Sequence, residues 1–161
     1  MAPLVVILMG SKSDSEHCQA IADGLAKLGV AAEMRVGSAH KTPEHVMELL
    51  RAYEADPRPK VYVTVAGRSN ALSGFVDAQV RAPVIACPPP SSNFGGADIY
   101  SSLRMPGGVA PAVVLEPSGA ALLAAKMLAL ADPEIVKRIE AMQHANIEVI
   151  LKDDEAVKSK S

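Results

Sequence analysis

The sequence has 161 residues and a formal net charge of −2, and its only aromatic residues are three Tyr and two Phe. A chain of this length is expected to form one domain, residues 1–161, that buries roughly two thirds of its unfolded surface without a metal or a disulfide. The near-neutral charge and the few aromatic rings argue against a nucleic-acid partner, because such a partner requires a dense basic face or stacking platforms.

The hydrophobic pattern predicts three strands and two helices in the first part of the chain. Leu4–Met9 is a continuous apolar run, which is typical of a strand covered on both faces. Ser15–Leu28 has one apolar side and predicts a helix, and the alternation in Ala32–Val36 indicates a half-solvated strand near a sheet edge. Thr42, followed by Pro and Glu, is the predicted cap of the second helix, and the β-branched run Val61–Ala66 is the third strand.

The rest of the chain continues this alternation. A helix is predicted from about Ser69 to Val80, and strands are predicted at Pro83–Cys87 and Ala112–Leu115. Two more helices follow, and the last runs from Pro133 to about Leu151, which leaves 152–161 as a frayed tail. The pattern predicts an α/β fold, a three-layer αβα sandwich with a mostly parallel, flavodoxin-like or Rossmann-like sheet of about five strands.

The sequence also predicts a compartment. The uncharged apolar stretch Gly119–Ala125 is closed by Lys126 and, like Leu4–Met9, is far shorter than the ~20 residues that span a bilayer, so no membrane partner is expected. Leu4–Met9 lacks the preceding basic residues and the following cleavage site of a signal peptide. Cys18 and Cys87 have no Cys-x-x-Cys spacing, which is usual in a reducing compartment. We therefore expect a cytoplasmic protein.

Small, hydroxyl-rich segments follow the first four predicted strands. In a parallel sheet these loops meet at one edge, where ligands bind and helix N-termini point outward. The four loops are Gly10–Asp14, Gly37–Lys41, Ala66–Asn70 and Cys87–Ser92. We predict that they form a ligand site.

The first of these loops lacks the glycine motifs that bind dinucleotides or ATP. Ser11 and Ser13 could instead hold a phosphate monoester at the helix N-terminus. The alternative is that Ser13 or Asp14 only caps the helix. If Asp14 is functional, it accepts hydrogen bonds from ribose hydroxyls, because its charge repels phosphate. Phosphate and ribose together indicate a mononucleotide.

Two other loops carry candidate reactive groups. His40 lies between a strand and a capped helix, so its ring is predicted to reach the rim, where it either transfers protons near neutral pH or is only structural. Lys41 either neutralises a carboxylate or phosphate or is a solvated surface lysine. Arg68, with Ser69 and Asn70, could recognise an anion, although the alternative is a surface Arg beside a helix cap.

Two further groups of residues give weaker signals. Asp14, His17, His40 and His45 could ligate a metal by composition, but no His-Glu-x-x-His or Cys-x-x-Cys motif is present, so no metal is predicted. The segment Ser101–Gly108 is expected to be a flexible loop that either closes a site or merely connects elements.

Five segments, taken in order, resemble the phosphoribosylaminoimidazole carboxylase (PurE) family of de novo purine synthesis. They are Met9–Asp14, Gly37–Pro43, Ala66–Asn70, Cys87–Pro89 and Ser101–Pro106. The resemblance covers roughly residues 4 to 150. It implies an enzyme that carboxylates aminoimidazole ribonucleotide without a cofactor, and a homo-octamer with sites near subunit boundaries.

Of the two branches of this family, the sequence resembles the carboxylase that takes carbon dioxide directly. The mutase branch, which acts on N-carboxyaminoimidazole ribonucleotide, usually carries Arg where Lys41 stands. Its loop after the third strand is Gly-rich and has its own His, whereas here it is Gly67–Asn70. The mutase is the close alternative, and a non-catalytic mononucleotide-binding module is the alternative from another class.

The resemblance also implies roles for individual residues. Ser11 and Ser38 would hold the phosphate with Lys41 nearby, Asp14 would bind the ribose hydroxyls, and His40 would shuttle a proton at the ring carbon. Lys41, Ser69 and Asn70 would position carbon dioxide or the new carboxylate. The catalytic residues implied are His40 and Lys41. The substrate-binding residues implied are Ser11, Ser13, Asp14, Ser38, Ala39, Lys41, Gly67, Arg68, Ser69 and Asn70.

Overall fold

A five-stranded parallel sheet forms the centre of the computed structural model, which describes residues 1–159. The strands are β1 (Leu4–Met9), β2 (Ala31–Val36), β3 (Lys60–Val65), β4 (Val84–Ala86) and β5 (Ala112–Val113). Their spatial order is β2-β1-β3-β4-β5, and every neighbouring pair is parallel. The predicted flavodoxin-like sheet is confirmed, and the direction of strand progression reverses between β1 and β3.

Helices cover both faces of this sheet. They are α1 (Ser15–Lys27), α2 (Pro43–Ala55), α3 (Ala71–Asp77), α4 (Tyr100–Leu103), α5 (Pro117–Ala129) and α6 (Pro133–Lys158), with 3-10 turns at Lys12–Asp14 and Asn93–Ile99. Side chains of α1, α5 and α6 pack on one face of the sheet, and side chains of α2 and α3 pack on the other. This arrangement confirms the three-layer sandwich. Within residues 1–159, no helix is both long enough and apolar enough to cross a membrane.

Strand β1 supplies both cores. Val5, Ile7 and Met9 face the core under α1 and α5, whereas Leu4, Val6 and Leu8 face the core under α2 and α3. All of them are at most 4% exposed. Burying a side chain of this size, instead of leaving it exposed to water, stabilises the folded state by roughly 1.5–3 kcal/mol. The uninterrupted apolar run is therefore explained by two buried faces.

Strand β2 lies at the edge of the sheet, as its alternating sequence predicts. The alternation also predicts one buried face and one solvated face, but five of its six residues are exposed. Its apolar residues Met34 and Val36 are 39% and 47% exposed. Glu33, on the other side of the strand, accepts hydrogen bonds from Tyr53 at 2.9 Å and from Arg58 at 3.3 Å. The apolar side of β2 thus remains largely uncovered in the single subunit.

The helix boundaries differ from the sequence prediction at two places. Helix α6 does not end near Leu151 but continues to Lys158, so the expectation of a frayed tail is wrong for 152–158. No Gly or Pro interrupts this stretch, and its Lys, Glu and Ala residues are helix formers. Residues 160–161 of the expected tail lie outside the described residues. Helix α3 is shorter than the predicted Ser69–Val80: it begins at Ala71, because Asn70 caps it, and it ends at Asp77.

Helices α1 and α5 approach each other closely at Gly24. A Cβ atom added at Gly24 would lie only 2.8 Å from the Cβ of Ala121. We expect Gly24→Ala to destabilise the protein by about 1–3 kcal/mol through overpacking, even though helix propensity alone favours Ala over Gly by about 1 kcal/mol. The measurement is urea unfolding at a fixed protomer concentration.

The compensating variant is Gly24→Ala combined with Ala121→Gly, which restores the space between the two helices. It should recover part of the lost free energy of unfolding relative to the sum of the two single changes. A Gly24→Ala protein as stable as the parent would contradict this account of the packing.

Candidate active site

A cavity of about 440 Å³ opens at the carboxyl ends of β1, β2 and β3. It lies where the strand order reverses, which is the usual ligand position in open parallel sheets. Three of the four hydroxyl-rich loops meet there. The residues that line the cavity are Gly10, Ser11, Ser13, Asp14, Ser38, Ala39, His40, Lys41, Ala66, Gly67, Arg68, Ser69 and Leu72.

The first loop places two hydroxyls side by side at the beginning of a helical segment. The Oγ of Ser11 accepts hydrogen bonds from the backbone N–H of Ser13 at 3.3 Å and from the Ser13 hydroxyl at 3.0 Å. Ser11 therefore caps the 3-10 turn Lys12–Asp14. Asp14 precedes α1, but its carboxylate makes no capping hydrogen bond. The carboxylate lies among the lining groups instead.

The second loop is a short turn that presents three residues to the cavity. Thr42 Oγ1 accepts a hydrogen bond from the Ser38 N–H at 3.0 Å, and the Thr42 N–H donates to the Ser38 carbonyl at 2.9 Å. The predicted side-chain cap at Thr42 is thus replaced by a bond within the turn. Ser38 Oγ also accepts from the Lys41 N–H at 3.3 Å. Closing the turn in this way leaves His40 exposed at the rim.

The imidazole of His40 is available to a ligand. Within residues 1–159, no hydrogen bond or ion pair ties down its ring. His45, on α2, is not part of the cavity, and its Nδ1 lies 3.9 Å from a carboxylate oxygen of Glu48. The two histidines, although close in sequence, therefore have different surroundings.

The third loop contributes Gly67, Arg68 and Ser69, but the structure does not bring Asn70 to the cavity. Arg68 adopts a left-handed backbone conformation, with φ of 60°. Asn70 is only 3% exposed. Its side-chain amide is already bonded, to the Ser102 hydroxyl and to a backbone N–H of α3.

The charges around the cavity favour an anionic ligand. Lys41 and Arg68 are the two cationic lining residues, and Asp14 is the one carboxylate among them. A concave site with a net positive lining raises the local concentration of a phosphorylated ligand. The carboxylate and the serine hydroxyls supply hydrogen-bonding partners for neutral groups of the same ligand.

The fourth predicted loop lines an adjacent cavity of about 490 Å³, which shares Ala66 and Gly67 with the first. Here His17 Nε2 lies 3.3 Å from the buried Sγ of Cys87. Burial raises the pKa of Cys87 to about 12 and lowers the pKa of His17, so both groups are neutral near pH 7. Burial raises the pKa of Cys18 to about 12 in the same way.

The four residues considered as metal ligands do not converge. Asp14 and His40 line the first cavity, His17 lines the second, and His45 faces Glu48. In the part of the chain that the structure describes, no group of three or more His, Cys, Asp and Glu side chains is arranged to hold a metal ion.

The segment Ser101–Gly108 contributes nothing to the lining of the first cavity. Its first residues form part of α4, and the sulfur of Met105 packs against Gly74 of α3. The structure therefore shows a connection docked on α3. The cavity also includes Gly10 and Ala66, which begin two of the predicted loops, and Leu72 of α3, which lies outside all of the predicted loops. No pattern in the sequence indicates Leu72, because its apolar side chain reads as part of the buried face of α3.

Comparisons with known proteins agree with this geometry. The family model described as AIR carboxylase matches residues 4–148. A phosphoribosylaminoimidazole carboxylase from Treponema denticola is 56% identical over 158 residues, which cover 98% of this chain and 99% of that protein. The enzyme of the same name from Archaeoglobus fulgidus is 54% identical and covers 95% of this chain and 84% of its own.

The crystal structure of Treponema denticola PurE superimposes on this chain with a TM-score of 0.93 at 57% sequence identity. The match covers 95% of this chain and 97% of that one. The fold, the nearly complete coverage and the family model lead to the same conclusion: the chain belongs to the AIR carboxylase family.

Proposed function

We propose that this chain is a phosphoribosylaminoimidazole carboxylase of purine biosynthesis. It would convert aminoimidazole ribonucleotide and carbon dioxide reversibly to 4-carboxyaminoimidazole ribonucleotide. The observation that carries the proposal is the exposed imidazole of His40 at the rim of a cavity that also presents Lys41, Arg68 and serine hydroxyls. The relatives that bear this enzyme's name match almost the whole chain.

The cavity offers separate groups for each part of the ribotide. Ser11, Ser13 and Ser38 provide hydroxyls for the phosphate, and Lys41 adds a positive charge beside them. Asp14 accepts hydrogen bonds from the ribose hydroxyls. With the sugar and phosphate held by these groups, the aminoimidazole ring would reach the rim where His40 lies.

The chemistry needs one proton carrier. The ring carbon of aminoimidazole ribonucleotide is enamine-like, so it can attack carbon dioxide and form a new C–C bond without ATP or biotin. That carbon then bears both a proton and a carboxylate. His40 removes the proton, and the C–H electron pair restores the aromatic ring. In reverse, the imidazolium of His40 protonates the carbon and carbon dioxide leaves.

Two features favour the branch that uses carbon dioxide directly. Lys41 occupies the position where the mutase usually has Arg, and the third loop reads Gly67–Asn70 with no His of its own. Lys41, Arg68 and Ser69 would hold the carbon dioxide or the nascent carboxylate, which is positional and electrostatic catalysis. An assay that compares bicarbonate with the N-carboxylated isomer as the carbon source distinguishes this branch from the mutase.

The assembly is proposed to be a homo-octamer that works in the cytoplasm. Ile147, Ile150 and Leu151 are 55–67% exposed on the last part of α6, and their spacing places them on one side of that helix. The edge strand β2 exposes further apolar side chains. Apolar surface of this kind is typical of subunit contacts. The two cysteines are free thiols, as is usual in a reducing compartment.

His40→Asn should lower the turnover number by about 10²- to 10⁴-fold, because it removes the proton carrier. The dissociation constant for aminoimidazole ribonucleotide should change little, since the phosphate and ribose groups remain. Turnover is followed by ultraviolet absorbance in the decarboxylation direction, and binding is followed by calorimetry. His45→Asn is the matched control and should keep full turnover. If the parent protein binds aminoimidazole ribonucleotide but shows no turnover, it is a binding module and not an enzyme.

The branch assignment is tested by mixing the protein with aminoimidazole ribonucleotide and bicarbonate, without ATP, metal or biotin. We expect carboxylated product, because carbon dioxide formed from bicarbonate reacts directly. A second reaction supplies only the N-carboxylated isomer under the same conditions. Turnover of that isomer without product from bicarbonate would assign the protein to the mutase branch.

The assembly is tested by changing the exposed face of α6. Ile150→Glu should reduce the mass measured by light scattering below that of the parent, because it places a charge in an apolar contact. Ala145→Glu is the control, since its position lies on the opposite side of the same helix. If the Ile150→Glu protein has the same mass as the parent, this face of α6 is not part of the subunit contact.

A further inference from the structure

The conformation of the third loop requires support from outside the cavity. Arg68 lines the cavity with a left-handed φ of 60°, which is unfavourable for a residue with a side chain. Both Arg68 and Ser69 are exposed, so little packing holds them. Such a conformation persists only where neighbouring structure determines it.

Asn70 supplies three connections directly after these residues. Its N–H donates to the Ser101 hydroxyl at 2.9 Å, and its Nδ2 donates to the Ser102 hydroxyl at 2.9 Å. Its Oδ1 accepts the Ser73 N–H at 3.2 Å and so caps α3. Asn70 and Ser102 are 3% and 2% exposed, so water does not compete for the bond between them.

The partner segment is itself fixed along α3. The Ser101 hydroxyl donates to the carbonyl of Asp98 at 2.7 Å. Further on, Met105 packs against Gly74, where an added Cβ would lie 2.8 Å from its sulfur. Asp77, at the end of α3, accepts the Ala110 N–H at 2.8 Å. The segment 98–110 thus forms a brace that holds one end of the third loop through Asn70.

We propose that Asn70 and Ser102 are positioning residues that hold Arg68 and Ser69 in place at the cavity and do not touch the substrate. This role rests on the proposed function, in which Arg68 and Ser69 hold the carboxylate that is exchanged. The Asn70–Ser102 bond fixes the third loop, and the third loop fixes the carboxylate relative to His40. Loss of the bond therefore affects the carboxylated ribotide more than the uncarboxylated one.

The test compares two buried hydroxyls. Ser102→Ala removes the hydroxyl that accepts from Asn70, whereas Ser73→Ala removes one that is buried without a hydrogen-bond partner within residues 1–159. Ser102→Ala should lower kcat/KM for decarboxylation about tenfold and leave the dissociation constant for aminoimidazole ribonucleotide unchanged. Ser73→Ala should leave both unchanged. If Ser102→Ala does not fold, Ser102→Cys, which is only slightly larger than Ser but forms weaker hydrogen bonds, takes its place.

A double-mutant cycle separates positioning from general damage. In a background that carries both Arg68→Ala and Ser69→Ala, Ser102→Ala should add little further loss, because both groups that it positions are already absent. A second full tenfold loss in that background would overturn the proposal, as would a Ser102→Ala protein that matches Ser73→Ala. A parent protein that decarboxylates nothing would overturn the proposed function itself, so the two failures are distinct.

Discussion

The arrangement of the molecule depends on covering β1 from both sides. Its six residues are all buried and pack alternately into the two cores. To cover them, α1 connects β1 to the edge strand β2 across one face of the sheet. Helix α2 then connects β2 to β3 across the other face, and β3 lies on the opposite side of β1 from β2. The loops that leave β1 and β3 diverge to opposite faces. The crevice between them is therefore a consequence of burying this strand.

The cavity combines exposed reactive groups with loops that are individually fixed. Each loop is tied by a bond between a side chain and the backbone: Ser11 in the first, Ser38 with Thr42 in the second, and Asn70 in the third. None of these bonds uses the imidazole of His40 or the guanidinium of Arg68. In the described residues 1–159 the loops are thus fixed through their backbone while the imidazole and the guanidinium remain unpaired, which reduces the reorganisation needed when ligand binds.

The sequence predicts those parts of the structure that depend on local pattern. The apolar run of β1 predicts a strand that is buried on both faces of a parallel sheet, and the small residues after the strands predict the three loops that meet at the carboxyl ends of the strands. The surroundings of Asn70 were not predictable, because its partners lie 31 and 32 residues away along the chain. For the same reason the sequence of Ser101–Gly108 predicts a flexible loop, although contacts with α3 hold it. The end of α6 carries no Gly or Pro that would stop a helix, so the change to a charged composition after Leu151 does not mark the end of the helix.

The two buried thiols have a consequence for how the protein tolerates oxidants. Peroxides and electrophiles attack the thiolate, and burial holds Cys18 and Cys87 in the protonated form because it raises the pKa of each to about 12. The groups that line the first cavity include no sulfur atom. Conditions that inactivate enzymes with a reactive cysteine should therefore leave this site chemically intact.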